Sequence, residues 1–431
     1  MSLKRISVIG AGVAGCAAAI SAAARGADVL LYEQRPLRST PVHTTGIPAE
    51  LCGGGDFGAE ETDRAGGLLN AELRELVPSL SSCIDAARMG EHTLLVAREA
   101  FSQAVRDLVE ASPRIELREE HVAALPDGPV VIASGPATWS PLARAIHAAS
   151  GAPFVFSYCG RPPLIAADSV DLSEALFVPP YPGAEPTIFL PLSDDEVAGL
   201  ARLIASGARD HPAGLEPQMV LADEQVPVER LAADADELAS TILRGPRGPQ
   251  VQTEGPALCL VPDDPEQSAF HLQGLCTSLT TAAQQSALAA VAALSEVRVL
   301  RPGLIHRTPW LAGREATLSS LELERLSRVL LAGTLTGAWG YLEAMATGAV
   351  AGVGAASLAD GRSPLPPPPD SMTGALCYAI ARREPQGDSR MLRANFGMLP
   401  ERPQDEGMSK TERRRGQIER ALNAMREYAG R

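Results

Sequence analysis

The sequence predicts an α/β protein: a Rossmann-like domain of the two-dinucleotide-binding type, discontinuous in the chain, with a smaller α+β domain inserted into it. Three observations carry the prediction: a glycine-punctuated strand-helix-strand over residues 5–33, a second strand-glycine-helix over residues 330–352, and a change of character between them. The expected segments are 1–153 and 298–362 for the two parts of the dinucleotide domain and 154–297 for the insertion. Residues 363–431 are expected to form a Pro-rich spacer and a C-terminal helical segment.

In the opening segment a β-branched run, Ile6 to Ile9, leads into Gly10, Gly12 and Gly15, an Ala-rich helical stretch, Gly26 as a stop, and a second apolar strand ending at Glu33. Gly10 permits the tight turn, Gly12 leaves bare backbone for a pyrophosphate, and Gly15 lets helix and strand pack closely. The helix start then faces the phosphates with unpaired N–H groups and the positive end of its dipole. Glu33 suits a ribose 2′-hydroxyl and would repel a 2′-phosphate. A glycine-punctuated βαβ unit without a ligand would leave Glu33 unexplained.

Beyond Glu33 a polar, glycine-rich region through Gly55 has no sustained period and is expected to be loop beside the cofactor. Residues 68 to 79 read as helix, His92 to Val96 as strand, Arg98 to Val109 as helix and Arg114 to Glu119 as strand. The run from Pro129 to Pro136 reads as a buried parallel strand ending in a glycine turn. From about Phe154 to Val297 prolines, acidic loops and short strands dominate. The nucleotide-binding pattern then resumes with a buried strand, Arg328 to Gly333, a glycine-bearing turn, Thr334 to Gly340, and a small-residue helix, Tyr341 to Ala356. Pro364 to Pro369 is expected to be an extended spacer, and Lys410 to Tyr428 a charged helix with a solvated face.

The chain of 431 residues has a formal net charge of −14, so its surface repels nucleic acid and anionic membranes, and an RNA partner would need a local basic patch. Its seven cysteines are scattered, with no CxxC and no metal-like pairing with histidine, which predicts a reducing compartment, no disulfides and no metal. No signal peptide and no membrane-length apolar run is apparent, so a cytoplasmic location is expected.

The segment Leu330 to Gly352 repeats the logic of the opening: strand, glycine turn, helix start facing anions. In flavoproteins with two dinucleotide-binding motifs such a late segment closes over the middle of FAD, so the pair favours FAD over NAD as the tightly held cofactor.

More specific motifs run nearly end to end: VIGAGVAG with LYEQRP, STPVHTT and AEL (ending at Leu51), VAREAF (Val96 to Phe101), LPDGPVVIASGP (Leu125 to Pro136), GLIHRT (Gly303 to Thr308), AGTLTGAWGYLEAMATG (Ala332 to Gly348) and ANFGMLP (Ala394 to Pro400). On these the chain resembles the TrmFO family of FAD- and folate-dependent tRNA (uracil-5-)-methyltransferases, themselves similar to the GidA/MnmG flavoproteins. The resemblance implies an FAD domain interrupted by an insertion domain. It also implies a chemistry in which reduced flavin takes a methylene group from 5,10-methylenetetrahydrofolate and passes it to C5 of a uracil, with NAD(P)H as electron source. By position, Gly10, Gly12, Gly15, Glu33, Gly333, Gly337 and Gly340 would hold FAD, with Arg98 a further candidate.

The resemblance fails at the catalytic thiols. The family's GCMPIE cysteine is matched by ADEQVPVER, which places Gln225 there, and an amide cannot replace a thiolate nucleophile. The family's AELVCSNS is matched by AELCGGGDF: an ungapped match puts Gly53 on the cysteine, whereas a one-residue deletion restores Cys52, the candidate catalytic residue. Glycines and Asp56 replace the family's Ser-Asn-Ser either way. His43 and His306 fall in matched motifs and are either site residues or structural histidines. Because C5 of uracil is a poor nucleophile until a thiolate adds at C6, the acceptor expected here is one other than ordinary tRNA uracil. Standard uracil-5 methylation with Cys52 as nucleophile, and a noncatalytic FAD-binding scaffold, are the alternatives. Folate and a nicotinamide are the expected small-molecule partners.

Overall fold

A computed structural model describes residues 5–210, 228–245, 255–311, 316–383 and 391–430. Its first sheet has six strands in the order Glu322–Leu323, Leu326–Leu331, Val130–Ile132, Arg5–Ile9, Asp28–Glu33 and Ile115–Glu119. All neighbours are parallel except the outermost pair, Glu322–Leu323 with Leu326–Leu331. The central strands are β-branched and buried, as strands covered on both faces must be. The chain leaves this sheet and re-enters it late, through Leu326–Leu331 beside Val130–Ile132.

Two helices pack closely, Val13–Ala24 against Tyr341–Ala359. A Cβ at Gly348 would lie 2.1 Å from the Ala14 carbonyl oxygen, and one at Gly352 would lie 2.2 Å from that of Ala18. Only glycine permits this approach, which ties the two halves of the discontinuous domain together. Contrary to expectation, Tyr341–Ala359 is long and apolar enough to cross a bilayer by length and composition. Its apolar window is 72% buried inside the molecule, as befits a core helix.

The second sheet also has six strands, all antiparallel, in the order Val299–Arg301, Leu164–Ala166, Ala269–Leu272, Ala257–Pro262, Thr187–Pro191 and Leu176–Val178. Helices Asp194–Ser206 and Thr281–Leu288 bury its inner face in a separate core. The strand Val299–Arg301 falls past residue 297, because three residues with a register shift between Val299 and Arg301 carry no readable period. An antiparallel ribbon, Phe154–Arg161 with Leu304–Leu311, joins the two sheets. The architecture is α/β with a Rossmann-like dinucleotide-binding core.

Several local expectations need correction. The helix expected over 68–79 is two helices, Ala65–Leu76 and Pro78–Ala86, since Pro78 at the start of the second disfavours a helical Val77 before it. The C-terminal region is more than a spacer and a solvated helix. Met372–Ala381 is a largely buried helix, and Lys410–Ala429 lays Ala421, Met425 and Tyr428 into the first core. The Glu72 carboxylate, fully buried, accepts the backbone N–H groups of Met372 and Thr373 at 2.6 and 2.7 Å and the Thr373 hydroxyl at 2.6 Å, fastening Met372–Ala381 to Ala65–Leu76.

Candidate functional site

At the carboxyl ends of the first sheet's strands lies a cleft, open to solvent and lined by Gly10, Gly12, Glu33, Ser134, Gly135 and Trp139 among others. The helix Val13–Ala24 starts at its wall with no side-chain cap and no acid in its first turn, so its N–H groups face the cleft unneutralised. Gly10 turns at φ +100°, and a Cβ at Gly15 would lie 1.7 Å from the Gly10 carbonyl oxygen. A Cβ at Gly12 would meet nothing within 4 Å, so space is left over bare backbone. The Thr334 hydroxyl on the second glycine segment is buried without a partner among the described residues, and a Cβ at Gly135 would lie 3.5 Å from it. An open helix start, bare backbone at Gly12 and an unpaired hydroxyl fit a dinucleotide.

The other predicted residues are placed differently. Glu33 accepts from Ala11 N and Arg35 Nη2 on one oxygen, and from Arg35 N and Nε on the other, all at 3.0–3.1 Å. With every lone-pair direction engaged, a ribose hydroxyl must share or displace one of these bonds. Gly333, at φ +67°, lies against Ala14, and its N–H donates to Thr347 Oγ1 at 3.0 Å. Gly337 lies under Trp310 and Arg383, and Gly340 under the carboxylate of Glu343. Neither presents bare backbone as Gly12 does.

Arg35 also donates to Glu50 at 3.0 Å, and Glu50 accepts both the backbone N–H and the hydroxyl of Thr44 and of Thr45 at 2.6–2.9 Å. The motifs EQRP, STPVHTT and AEL are therefore one hydrogen-bonded unit that folds the loop beside the cleft. Burial pushes the Glu33 and Glu50 carboxyls up, but these bonds outweigh it and hold both below the ordinary range. His43 accepts at Nδ1 from Thr40 Oγ1, which in turn accepts the His43 N–H. Burial, then Arg35, with a contribution from His306, lowers His43 to about 4, so it is neutral at physiological pH.

Cys52 opens the glycine loop that follows, at the junction of the two sheets. Burial and then Glu50 push its thiol up to about 12, against the opposing pull of Arg35, Arg161 and Arg301. The loop is pinned by Gly53 N donating to Tyr341 Oη at 2.9 Å, and a Cβ at Gly54 would lie 3.4 Å from the His271 ring. Across the junction Arg98, a candidate for FAD, holds Asp263 next to the second sheet, Nε to Oδ1 at 2.8 Å and Nη2 to Oδ2 at 3.2 Å. His271 Nε2 meets the same Asp263 oxygen at 2.7 Å. Gln225 lies outside the described residues. The sequence reading missed Arg35, Glu50, Tyr341, Asp263 and His271. The first three sit inside the quoted motifs and were within reach, whereas only the topology brings Asp263 and His271 here.

The family model for glucose inhibited division protein A matches residues 5–363. Among curated proteins, the methylenetetrahydrofolate--tRNA-(uracil-5-)-methyltransferase TrmFO of Deinococcus radiodurans is 33% identical, over 100% of this chain and 95% of its own length. The protein of the same name from Moorella thermoacetica is 33% identical over 99% of each chain, and that of Thermus thermophilus 31% identical over 98% and 96%. Among solved structures, Aquifex aeolicus GidA superposes with a TM-score of 0.73 at 16% identity, covering 99% of this chain and 73% of that one, a likeness of fold.

Proposed function

Since the chain belongs to the glucose inhibited division protein A family and matches the TrmFO proteins along its whole length, we propose that it is an FAD-dependent enzyme that moves a one-carbon unit from methylenetetrahydrofolate to an acceptor other than ordinary tRNA uracil. When bound, the flavin supplies the electrons that turn a methylene group into a methyl group, with a nicotinamide as their source. The chain's own residues provide the rest. The N–H groups after Gly12 would hold the pyrophosphate, and the Glu33–Arg35–Glu50 unit fixes the loop beside the cleft. Tyr341 holds the Cys52 loop at the junction where two substrates would meet.

The observation that carries the choice of acceptor is Cys52 itself. Burial and the neighbouring Glu50 carboxylate push its thiol up and disfavour the thiolate, and Gln225 stands where the family's GCMPIE segment has its cysteine. Such a thiol is a poor nucleophile for C6 of uracil, so an acceptor already rich in electrons is favoured. The net charge of −14 points the same way, because each tRNA phosphate contact needs a local cation.

Whole-length identity of 31–33% to TrmFO proteins favours a second reading, uracil-5 methylation of tRNA. The two separate when flavin-loaded protein is given NAD(P)H, methylene-labelled folate and a tRNA transcript. The proposal expects flavin reduction and folate consumption with no label on the transcript. Label on uracil that Cys52→Ala abolishes would establish the second reading, and failure to consume folate under any condition would overturn one-carbon transfer.

A further inference from the structure

At the junction of the two sheets Arg301 ends its strand only 7% exposed, and among the described residues none of its guanidinium nitrogens has a hydrogen-bond partner. Arg161 ends the neighbouring ribbon strand, 6% exposed. It donates to the carbonyls of Val42 and Pro302 at 3.0 and 3.2 Å but leaves Nε unmade. The nearby acid, Asp263, is already engaged by Arg98 and His271. Burial, then repulsion from Arg98 and Arg161, lowers Arg301 to about 10, so it remains charged at pH 7.

A buried charge without a partner costs several kcal/mol, and proteins retain one where something else completes it. A guanidinium presents a planar fork of donors whose matching partner is a carboxylate or phosphate oxyanion. The Cys52 thiol lies within electrostatic reach of both Arg161 and Arg301. We propose that Arg301, flanked by Arg161, is a subsite for the oxyanion of a small-molecule substrate, a carboxylate or a phosphate, seated beside Cys52 where the two domains meet. A phosphodiester inside a nucleic-acid strand does not suit it, since a group this buried is reached by a terminal oxyanion and not by a chain that must continue on both sides. The inference rests on the reading above in assigning the oxyanion to the acceptor.

Alkylation of flavin-loaded, full-length protein at pH 9, read peptide by peptide by mass spectrometry, tests the subsite without any methyl transfer. The probes are iodoacetate, itself a carboxylate, and neutral iodoacetamide, with Cys259 as the internal reference thiol. The iodoacetate-to-iodoacetamide ratio at Cys52 is expected to exceed that at Cys259 by about tenfold and to collapse to it in Arg301→Gln. Inorganic phosphate and acetate are titrated in separate arms, and the one that suppresses the ratio at lower concentration identifies the oxyanion. Should Arg301→Gln not fold, Arg161→Gln is expected to lower the ratio as well. Equal ratios at the two cysteines in the wild type, or a ratio untouched by either variant and by both anions, would overturn the subsite. Because folate and transfer are not read, that failure leaves the proposed one-carbon chemistry standing. A failed transfer assay likewise leaves the subsite standing.

Discussion

Arg35 is the residue on which the loop beside the cleft depends. Its side chain, 3% exposed, bridges two buried carboxylates, Glu33 and Glu50. Replacing it with Met leaves both acids buried without a counter-charge, a change that costs about 3–5 kcal/mol. Urea unfolding at pH 7 is expected to show a loss of that size, whereas Thr45→Ser, which keeps the hydroxyl, is expected to fall within about 0.5 kcal/mol of wild type. Cys52 makes a different prediction. With its thiol held up at about 12, its alkylation by iodoacetamide is expected to climb about tenfold per pH unit from 7 to 10. A plateau by pH 8 would mean an activated thiol and would favour the uracil-methylating reading. Cys52→Ala is expected to leave flavin content unchanged.

Among the elements, the buried helix Met372–Ala381 and the membrane-length helix Tyr341–Ala359 show why some structure is readable in sequence and some is not. Gly10, Gly12 and Gly15 announce their roles because turn, bare backbone and close approach each demand glycine at a fixed spacing, and the dinucleotide-binding fold follows from them. Met372–Ala381 is apolar on all sides, so it has no amphipathic period to mark it, and the prolines before it read as a spacer. Its fastening by Glu72 joins residues 300 apart, which no local pattern carries. Arg301 and His271 are likewise single residues in short strands, brought to Cys52 only by the ribbon between the sheets.

Glu72 gives this element a pH signature. Burial raises its carboxyl to about 7, against bonds from Thr373 and Met372 that pull it down. A group whose folded value lies above its unfolded value near 4.5 binds its proton more tightly in the folded state. Its contribution is therefore most favourable below about 4.5 and declines as pH rises to about 7. Glu72→Gln removes that dependence. The stability of wild type relative to this variant is expected to fall by about 3 kcal/mol between pH 4.5 and pH 8, read by urea unfolding. A constant difference across that range would place the carboxyl elsewhere.

Over the whole molecule, the two sheets are joined by the ribbon and by the ion pair of Arg98 with Asp263, which His271 of the second sheet braces. Glu185 supports them from the second sheet, accepting the His92 N–H at 2.9 Å and the Thr93 hydroxyl at 2.8 Å. Burial pushes the Asp263 carboxyl up, but bonds from His271 and Arg98 outweigh it and hold the acid well below its ordinary range. A depressed folded value stabilises above the unfolded value near 3.8 and is lost as pH falls through the folded one. The stability gap between wild type and Asp263→Asn is accordingly expected to be full at pH 6 and to shrink below about pH 4. Thermal unfolding of the two proteins across that range measures it.

The account depends most on a flavin held between the opening glycine turn and the late glycine segment. Its most direct test is the visible spectrum and flavin content of the purified chain, before and after incubation with FAD, compared with Gly12→Val. The account predicts about one FAD per chain, with flavin absorption in the wild type and its loss in a variant that still folds. Folded wild-type protein that is colourless and takes up no FAD would contradict it.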